Sequence, residues 1–125
     1  MSDKKINWYK IADSINTITF HENDMCVIEL ADIKITLAKH EEILFAFAHK
    51  CPHASGIMAD GFIDGSGQVV CPLHRYKFNM QDGRNTTGEG YYLKTYPIKQ
   101  TDEGVFIGIE EKDVECICKI INSVL

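Results

Sequence analysis

The sequence predicts an all-β fold, with an antiparallel β-sandwich base, a loop-rich insertion in its middle and a short C-terminal helix. Val, Ile, Phe, Tyr and Thr alternate with polar residues over many short stretches, the periodicity of half-buried strands. Most of the glycines and two of the three prolines lie between residues 50 and 90, which predicts turns and loops there. Near the C-terminus, apolar residues recur three and four positions apart, as on one helix face.

Five strands are predicted before the insertion, each short and rich in β-branched or aromatic residues. Their ranges are Trp8–Ile11, Ile15–Phe20, Cys26–Leu30, Ile33–Ala38 and Ile43–Ala48. Residues that favour turns separate several of them. These turns are Asn23-Asp24, Ala31-Asp32 and His40-Glu41-Glu42.

The insertion contains only short strand-like stretches, and patterned strands resume after it. Asp82-Gly83 between two such stretches predicts a tight hairpin turn. The strands predicted in and after the insertion are Gln68–Val70, Tyr76–Met80, Tyr92–Tyr96 and Val105–Ile109. We expect one domain over residues 1–125, with an inserted subdomain over about residues 49–90.

The last predicted element is a short helix in a C-terminal extension over residues 110–125. Its apolar stripe comprises Val114, Ile117, Cys118, Ile121, Val124 and Leu125. A helix of this length is marginal alone, so we expect the stripe to dock on the sheet or on another chain.

Composition and charge exclude several classes of function. The formal charge of −5, without a Lys/Arg cluster, argues against nucleic-acid binding and predicts that a protein partner would offer a basic patch. No apolar run approaches the roughly 18 residues of a membrane helix, and the polar N-terminus shows no secretory signal, so a cytoplasmic protein is expected. In that reducing compartment an odd count of five cysteines favours metal binding over disulfides.

Two short motifs provide candidate metal ligands, Cys51-Pro52-His53 and, after 17 intervening residues, Cys71-Pro72-Leu73-His74. Two loops meeting at their tips would bring two thiolates and two imidazoles together, and the prolines would stiffen each loop. Zinc fingers usually present both cysteines before both histidines. The alternating order here favours a di-iron cluster, although a zinc site remains an alternative.

This spacing and its context resemble the Rieske ferredoxin family. The similar segments are KCPHASGIMADGFIDGSGQVVCPLHRYKFNMQDGR and the later LKTYPIK, and the likeness extends from Trp8 to Ile109. The resemblance implies a base domain with an inserted cluster-binding subdomain of two ligand loops. It also implies one [2Fe–2S] cluster per chain, held by Cys51, His53, Cys71 and His74.

The resemblance further implies a reduction potential in the low part of the Rieske range. High-potential respiratory members carry an extra, disulfide-bonded cysteine in each loop, where this chain has Gly56 and Leu73. They also place serine and tyrosine hydroxyls near the cluster sulfurs, at positions matching Tyr76 and Phe78. Phe78 has no hydroxyl to donate, and the Tyr76 side chain is too long to replace serine directly.

The predicted function is that of a one-electron carrier and not of an enzyme by itself. The resemblance implies redox protein partners: a reductase as donor, and a terminal oxygenase or another reductase as acceptor. The residues expected at the rim of the electron-transfer contact with a partner protein are Met58, Arg75, Tyr91 and Tyr92. Two alternatives remain: the small subunit of an assimilatory nitrite reductase, and a zinc-stabilised interaction module without redox activity.

Overall fold

The computed structural model of the chain describes residues 5–52, 56–88 and 90–110. Within these residues ten strands form three antiparallel sheets, which confirms the predicted all-β fold. In the same residues no helix is long and apolar enough to cross a membrane. The predicted C-terminal helix falls almost entirely on residues 111–125, outside the described part.

The strands are β1 Ile6–Ala12, β2 Met25–Leu30, β3 Ile33–His40, β4 Ile43–Ala48, β5 Phe62–Ile63, β6 Gln68–Val70, β7 Lys77–Asn79, β8 Thr95–Tyr96, β9 Ile98–Thr101 and β10 Gly104–Glu110.

The base consists of two sheets packed face to face. One has the strand order β1-β10-β9 and the other β2-β3-β4-β8. Side chains from both sheets form the core between them, which is the arrangement of a β-sandwich. The buried members of this core are Cys26, Ile35, Leu37, Leu44, Ala46, Val105, Ile107 and Ile109.

The four-stranded sheet is covered on both faces, because the segment between β4 and β8 packs on its other side. Alternate residues of β3 point to opposite faces. Leu37 joins the core of the base, whereas Ala38 joins a second core with residues of the inserted segment. Thr36 is fully buried, and its hydroxyl donates a hydrogen bond of 3.2 Å to the Ala48 carbonyl. The inserted segment therefore rests on a well-packed sheet.

Both predicted hairpin turns between β2, β3 and β4 are confirmed. Ala31 and Asp32 have φ values of 50° and 65°, and Glu41 and Glu42 have 51° and 66°. Two consecutive residues with positive φ form the type I′ turn, whose twist matches that of paired strands. Neither turn contains the glycine that this conformation usually selects.

The strand predicted over Ile15–Phe20 is wrong. Ile15–Thr17 form a 3-10 turn, and Thr17 Oγ1 donates a 2.8 Å hydrogen bond to the Ser14 carbonyl. This local side-chain bond competes with sheet pairing. Ile15, Ile18 and Phe20 still pack on the core of the base, so the alternation reflected burial without strand pairing.

The chain after β7 departs from prediction in two details. The turn at Asp82-Gly83 is confirmed in position, but the connection runs from residue 80 to residue 83 and is closed by an Asn79 N–H to Arg84 carbonyl bond of 2.9 Å. The strand predicted over Tyr92–Tyr96 is only Thr95–Tyr96, and β9 after Pro97 was not predicted.

Asn23 ties the base to the inserted segment, a role that its turn position did not indicate. Its side-chain amide donates to the carbonyls of Ala59 and Gly61, at 2.7 and 3.0 Å. These two residues link the first ligand loop to β5. The bonds therefore anchor the far end of that loop to the base.

Candidate metal centre

Each of the two ligand loops is closed by a backbone hydrogen bond, and the two bonds are equivalent in position. The N–H of Cys51 donates to the Gly56 carbonyl at 2.7 Å, and the N–H of Cys71 donates to the Tyr76 carbonyl at 2.9 Å. In each loop the bond joins a cysteine to the residue five positions later. His74 lies inside the second closed loop, and the position of His53 lies inside the first. The same spacing of the closing bond therefore recurs in both loops.

The cysteine thiols are buried together. Cys51 is 3% exposed, Cys71 is fully buried, and both belong to the core that joins the inserted segment to the base. Burial raises the pKa of Cys71, a backbone hydrogen bond at Leu73 partly opposes the rise, and contact with Cys51 adds to it, so that the pKa is about 11. A metal bound here must displace the thiol proton, so its affinity depends on pH.

The second loop lies against the first one at Gly56, the residue that closes the first loop. A Cβ atom placed on Gly56 would lie 3.1 Å from Cys71 Sγ and 3.1 Å from Leu73 Cγ. Positions 56 and 73 are therefore neighbours, as the bridged cysteines of high-potential relatives would require. Here they hold a glycine and a leucine and cannot form that bridge.

The second loop contains two consecutive residues in the left-handed region. His74 has a φ of 62° and Arg75 a φ of 57°. A residue with a Cβ is strained in this conformation, whereas glycine is not. This explains physically why a glycine suits the position after the second histidine, a position that this chain fills with arginine.

Arg75→Gly is therefore expected to raise the stability of the protein. Relief of the left-handed strain, about 1–2 kcal/mol, exceeds the extra chain entropy that glycine loses, about 0.5–1 kcal/mol. The melting temperature should rise by a few degrees, about 2–5 °C. Arg75→Ala keeps the strain and serves as the control. Equal melting temperatures for the two variants would contradict this explanation.

A stack of rings runs outward from the second loop. The Tyr76 ring centroid lies 6.3 Å from that of His74 and 6.2 Å from that of Tyr91, with the two tyrosine planes 30° apart. Tyr91 leads into Tyr92, which pairs with Arg84 in an isolated bridge. Tyr76 and Tyr91 are 15 positions apart in the chain, and no local sequence pattern signals their contact.

The expected rim residues are confirmed as exposed at Arg75, Tyr91 and Tyr92 but are wrong at Met58. Met58 is fully buried, begins the 3-10 turn Met58–Asp60 and packs in the core beneath the loops. Its apolar side chain contributes to the support of the site and not to its surface.

The predicted donor set is compatible with a binuclear cluster. In the part of the chain that the structure describes, no three His, Cys, Asp or Glu side chains are grouped closely enough to hold one metal ion. His53 lies outside that part, so three of the predicted ligands, Cys51, Cys71 and His74, have described positions. A binuclear cluster divides its ligands between two metals, two thiolates on one and two imidazoles on the other. Paired buried thiols and a separate exposed His74 match that division.

Comparisons with known proteins agree with this chemistry. Residues 7–97 match the family model of the Rieske [2Fe–2S] domain. The ferredoxin component of an alkene monooxygenase system from Xanthobacter autotrophicus is 27% identical over 71% of this chain and 73% of its own length. The ferredoxin component of a naphthalene 1,2-dioxygenase system from Pseudomonas aeruginosa is 28% identical over 80% and 96%. In fold, the chain is similar to a putative NADH-dependent nitrite reductase small subunit from Mycobacterium tuberculosis, with a TM-score of 0.70, 18% identity and coverage of 84% and 96%.

Proposed function

Since this chain belongs to the Rieske [2Fe–2S] domain family, we propose that it is a one-electron carrier with one cluster, held by Cys51, His53, Cys71 and His74. The observation that carries this proposal is the pair of touching loops, with two buried thiols in contact and His74 exposed. The electron-transfer role, without catalysis by the chain alone, follows the relatives that are ferredoxin components of oxygenase systems.

The ligand set supports the redox role by simple charge balance. Two ferric ions, two sulfides and two thiolates cancel, whereas four thiolates would leave a negative cluster. An electron enters the neutral cluster more easily, which is why histidine ligation places the potential at roughly −150 to +300 mV, against about −400 mV for plant-type clusters. The backbone hydrogen bond at Leu73 adds a favourable interaction with the Cys71 sulfur.

We expect a midpoint potential in the lower part of this range. Phe78 is fully buried and has no hydroxyl to donate, and positions 56 and 73 hold no disulfide. Protein-film voltammetry of the purified protein near neutral pH measures the potential directly. A midpoint above about +100 mV would contradict the assignment to the low-potential, ferredoxin-like branch.

We propose a terminal oxygenase as the acceptor and a reductase as the donor, because the two curated relatives above belong to oxygenase systems. The test is single turnover: chemically reduced protein is mixed with a candidate oxygenase, and cluster reoxidation is followed by its visible absorption. Rapid reoxidation supports the carrier role. Stable co-purification with a nitrite reductase large subunit, without transfer to any oxygenase, would favour the alternative function.

A further inference from the structure

Charge is distributed unevenly along the chain. The segment between β4 and β8, residues 49–94, contains five basic and four acidic residues, a formal charge of +1. Because the whole chain carries −5, the remainder carries −6. Both arginines of the chain, Arg75 and Arg84, lie in this segment. The part with the ligand loops therefore differs in sign from the rest of the molecule.

Two of the five basic residues are compensated by acidic neighbours. Lys77 Nζ lies 3.8 Å from the Asp64 carboxylate, and Lys94 Nζ lies 3.9 Å from the Glu110 carboxylate. Lys77 and Glu110 lie on strands, and their partners each lie next to the end of a strand. They contribute little net charge to the surface around His74.

Two of the other three basic residues lie in or beside the ligand loops, and the third, Arg84, pairs with Tyr92. Lys50 directly precedes Cys51, and Arg75 directly follows His74. The backbone of Arg84 pairs with that of Tyr92 in an isolated β-bridge. All three are exposed, and none forms an ion pair with another residue that the structure describes. The acidic residues of the segment outside the ion pairs are Asp60, Asp82, whose carboxylate accepts the Arg84 backbone N–H at 2.9 Å, and Glu89, which is not described.

Large apolar side chains are exposed close to two of these cations, since Leu73 lies near Arg75 in sequence and Tyr92 pairs with Arg84. Leu73 is 45% exposed, Tyr91 40% and Tyr92 68%. Leu73 precedes His74, and Tyr91 is connected to it through the Tyr76 ring. Interfaces between proteins are enriched in Tyr and Arg, with apolar centres and polar rims. This surface has that composition.

Resting on the electron-carrier function proposed above, we infer that a redox partner with acidic residues around an apolar centre docks on Leu73, Tyr91 and Tyr92, between Lys50, Arg75 and Arg84. This reverses the expectation from net charge, which was a basic patch on the partner. Charges further than about 8–10 Å from a contact are largely screened at physiological salt. The cations in and beside the loops therefore govern docking more than charges beyond this distance do.

Small redox probes of opposite charge test the sign of this face without a known partner. The dithionite-reduced holoprotein, freed of excess dithionite, transfers one electron to anionic cobalt(III)–EDTA or to cationic hexaamminecobalt(III), and each cobalt is reduced to cobalt(II). We expect the rate constant with the anionic probe to fall about two- to fivefold as ionic strength rises from about 10 to 200 mM. The rate constant with the cationic probe should rise or stay level.

Charge-removing variants locate the effect. Arg75→Asn is chosen because asparagine tolerates the left-handed backbone. Arg75→Asn and Arg84→Gln should each lower the low-salt rate constant with the anionic probe about twofold. Lys10→Gln on β1, which removes an exposed ion pair with Asp13, is the matched control and should change the rate by less than about 1.3-fold.

The outcomes separate this inference from the function on which it rests. The visible spectrum of each sample is recorded before mixing. A normal cluster spectrum, with an anionic-probe rate that rises with salt or responds equally to Lys10→Gln, would overturn the docking inference alone. A protein without the cluster would overturn the proposed function and the inference together.

Discussion

Cys71→Ala is expected to abolish the visible absorption and the electron-transfer activity of the purified protein. In the proposed cluster Cys71 is one of two thiolate ligands of the same iron, and alanine supplies no replacement ligand. The effect should be all-or-none, with less than about 5% of the wild-type iron retained. Iron and acid-labile sulfide analysis, together with the visible spectrum, measures it.

Cys26→Ala is the matched control for this prediction. Cys26 is also a buried cysteine, and burial raises the pKa of its thiol, but it belongs to the core of the base. We expect it to retain a full cluster and to lose only the packing of one small side chain, about 1 kcal/mol. Equal loss of cluster from both variants would show that folding, and not ligation, had been removed.

Gly61→Ala is expected to destabilise the protein strongly and to accelerate the loss of the cluster. A Cβ atom at position 61 would lie 1.9 Å from the Val70 carbonyl oxygen, and Val70 directly precedes Cys71. Since Phe62 pairs with Val70, relief of the clash must separate β5 from β6. The free energy of unfolding should fall by about 2–4 kcal/mol. The melting temperature should then fall by about 10 °C or more.

Gly65→Ala provides the comparison within the same hairpin. A Cβ atom there meets no heavy atom within 4 Å, so stability should change by no more than about 0.5 kcal/mol. Thermal melts followed by circular dichroism and by visible absorption compare the two variants. If the Gly61→Ala and Gly65→Ala variants have the same melting temperature, the close approach of Gly61 to β6 does not constrain the loop.

Strand patterns predicted the fold where side-chain alternation coincided with pairing. Ile43–Ala48 and Gln68–Val70 were predicted with the bounds observed. The pattern was misleading at Ile15–Phe20, because alternation reports which side chains are buried and not whether the backbone has a partner strand. A local bond between Thr17 and Ser14 determined the backbone there.

The two ligand loops could be predicted from the sequence, whereas the contacts that surround them could not. Cysteine and histidine spacing is a local property, so the loops could be identified directly from residues 51–53 and 71–74. The contact of Tyr76 with Tyr91, the Asn23 anchor and the burial of Met58 all depend on residues distant in sequence. Single-sequence patterns do not carry such contacts. The ion pairs of Lys77 with Asp64 and of Lys94 with Glu110 likewise join residues that are distant in sequence.

The most direct test of the central claim is electron paramagnetic resonance of the dithionite-reduced protein, with metal analysis of the same sample. A [2Fe–2S] cluster held by two cysteines and two histidines predicts a coloured protein with two irons per chain and a rhombic signal of low average g value. A colourless protein that contains one zinc per chain would contradict the claim. A signal of four-cysteine type would contradict the roles of His53 and His74.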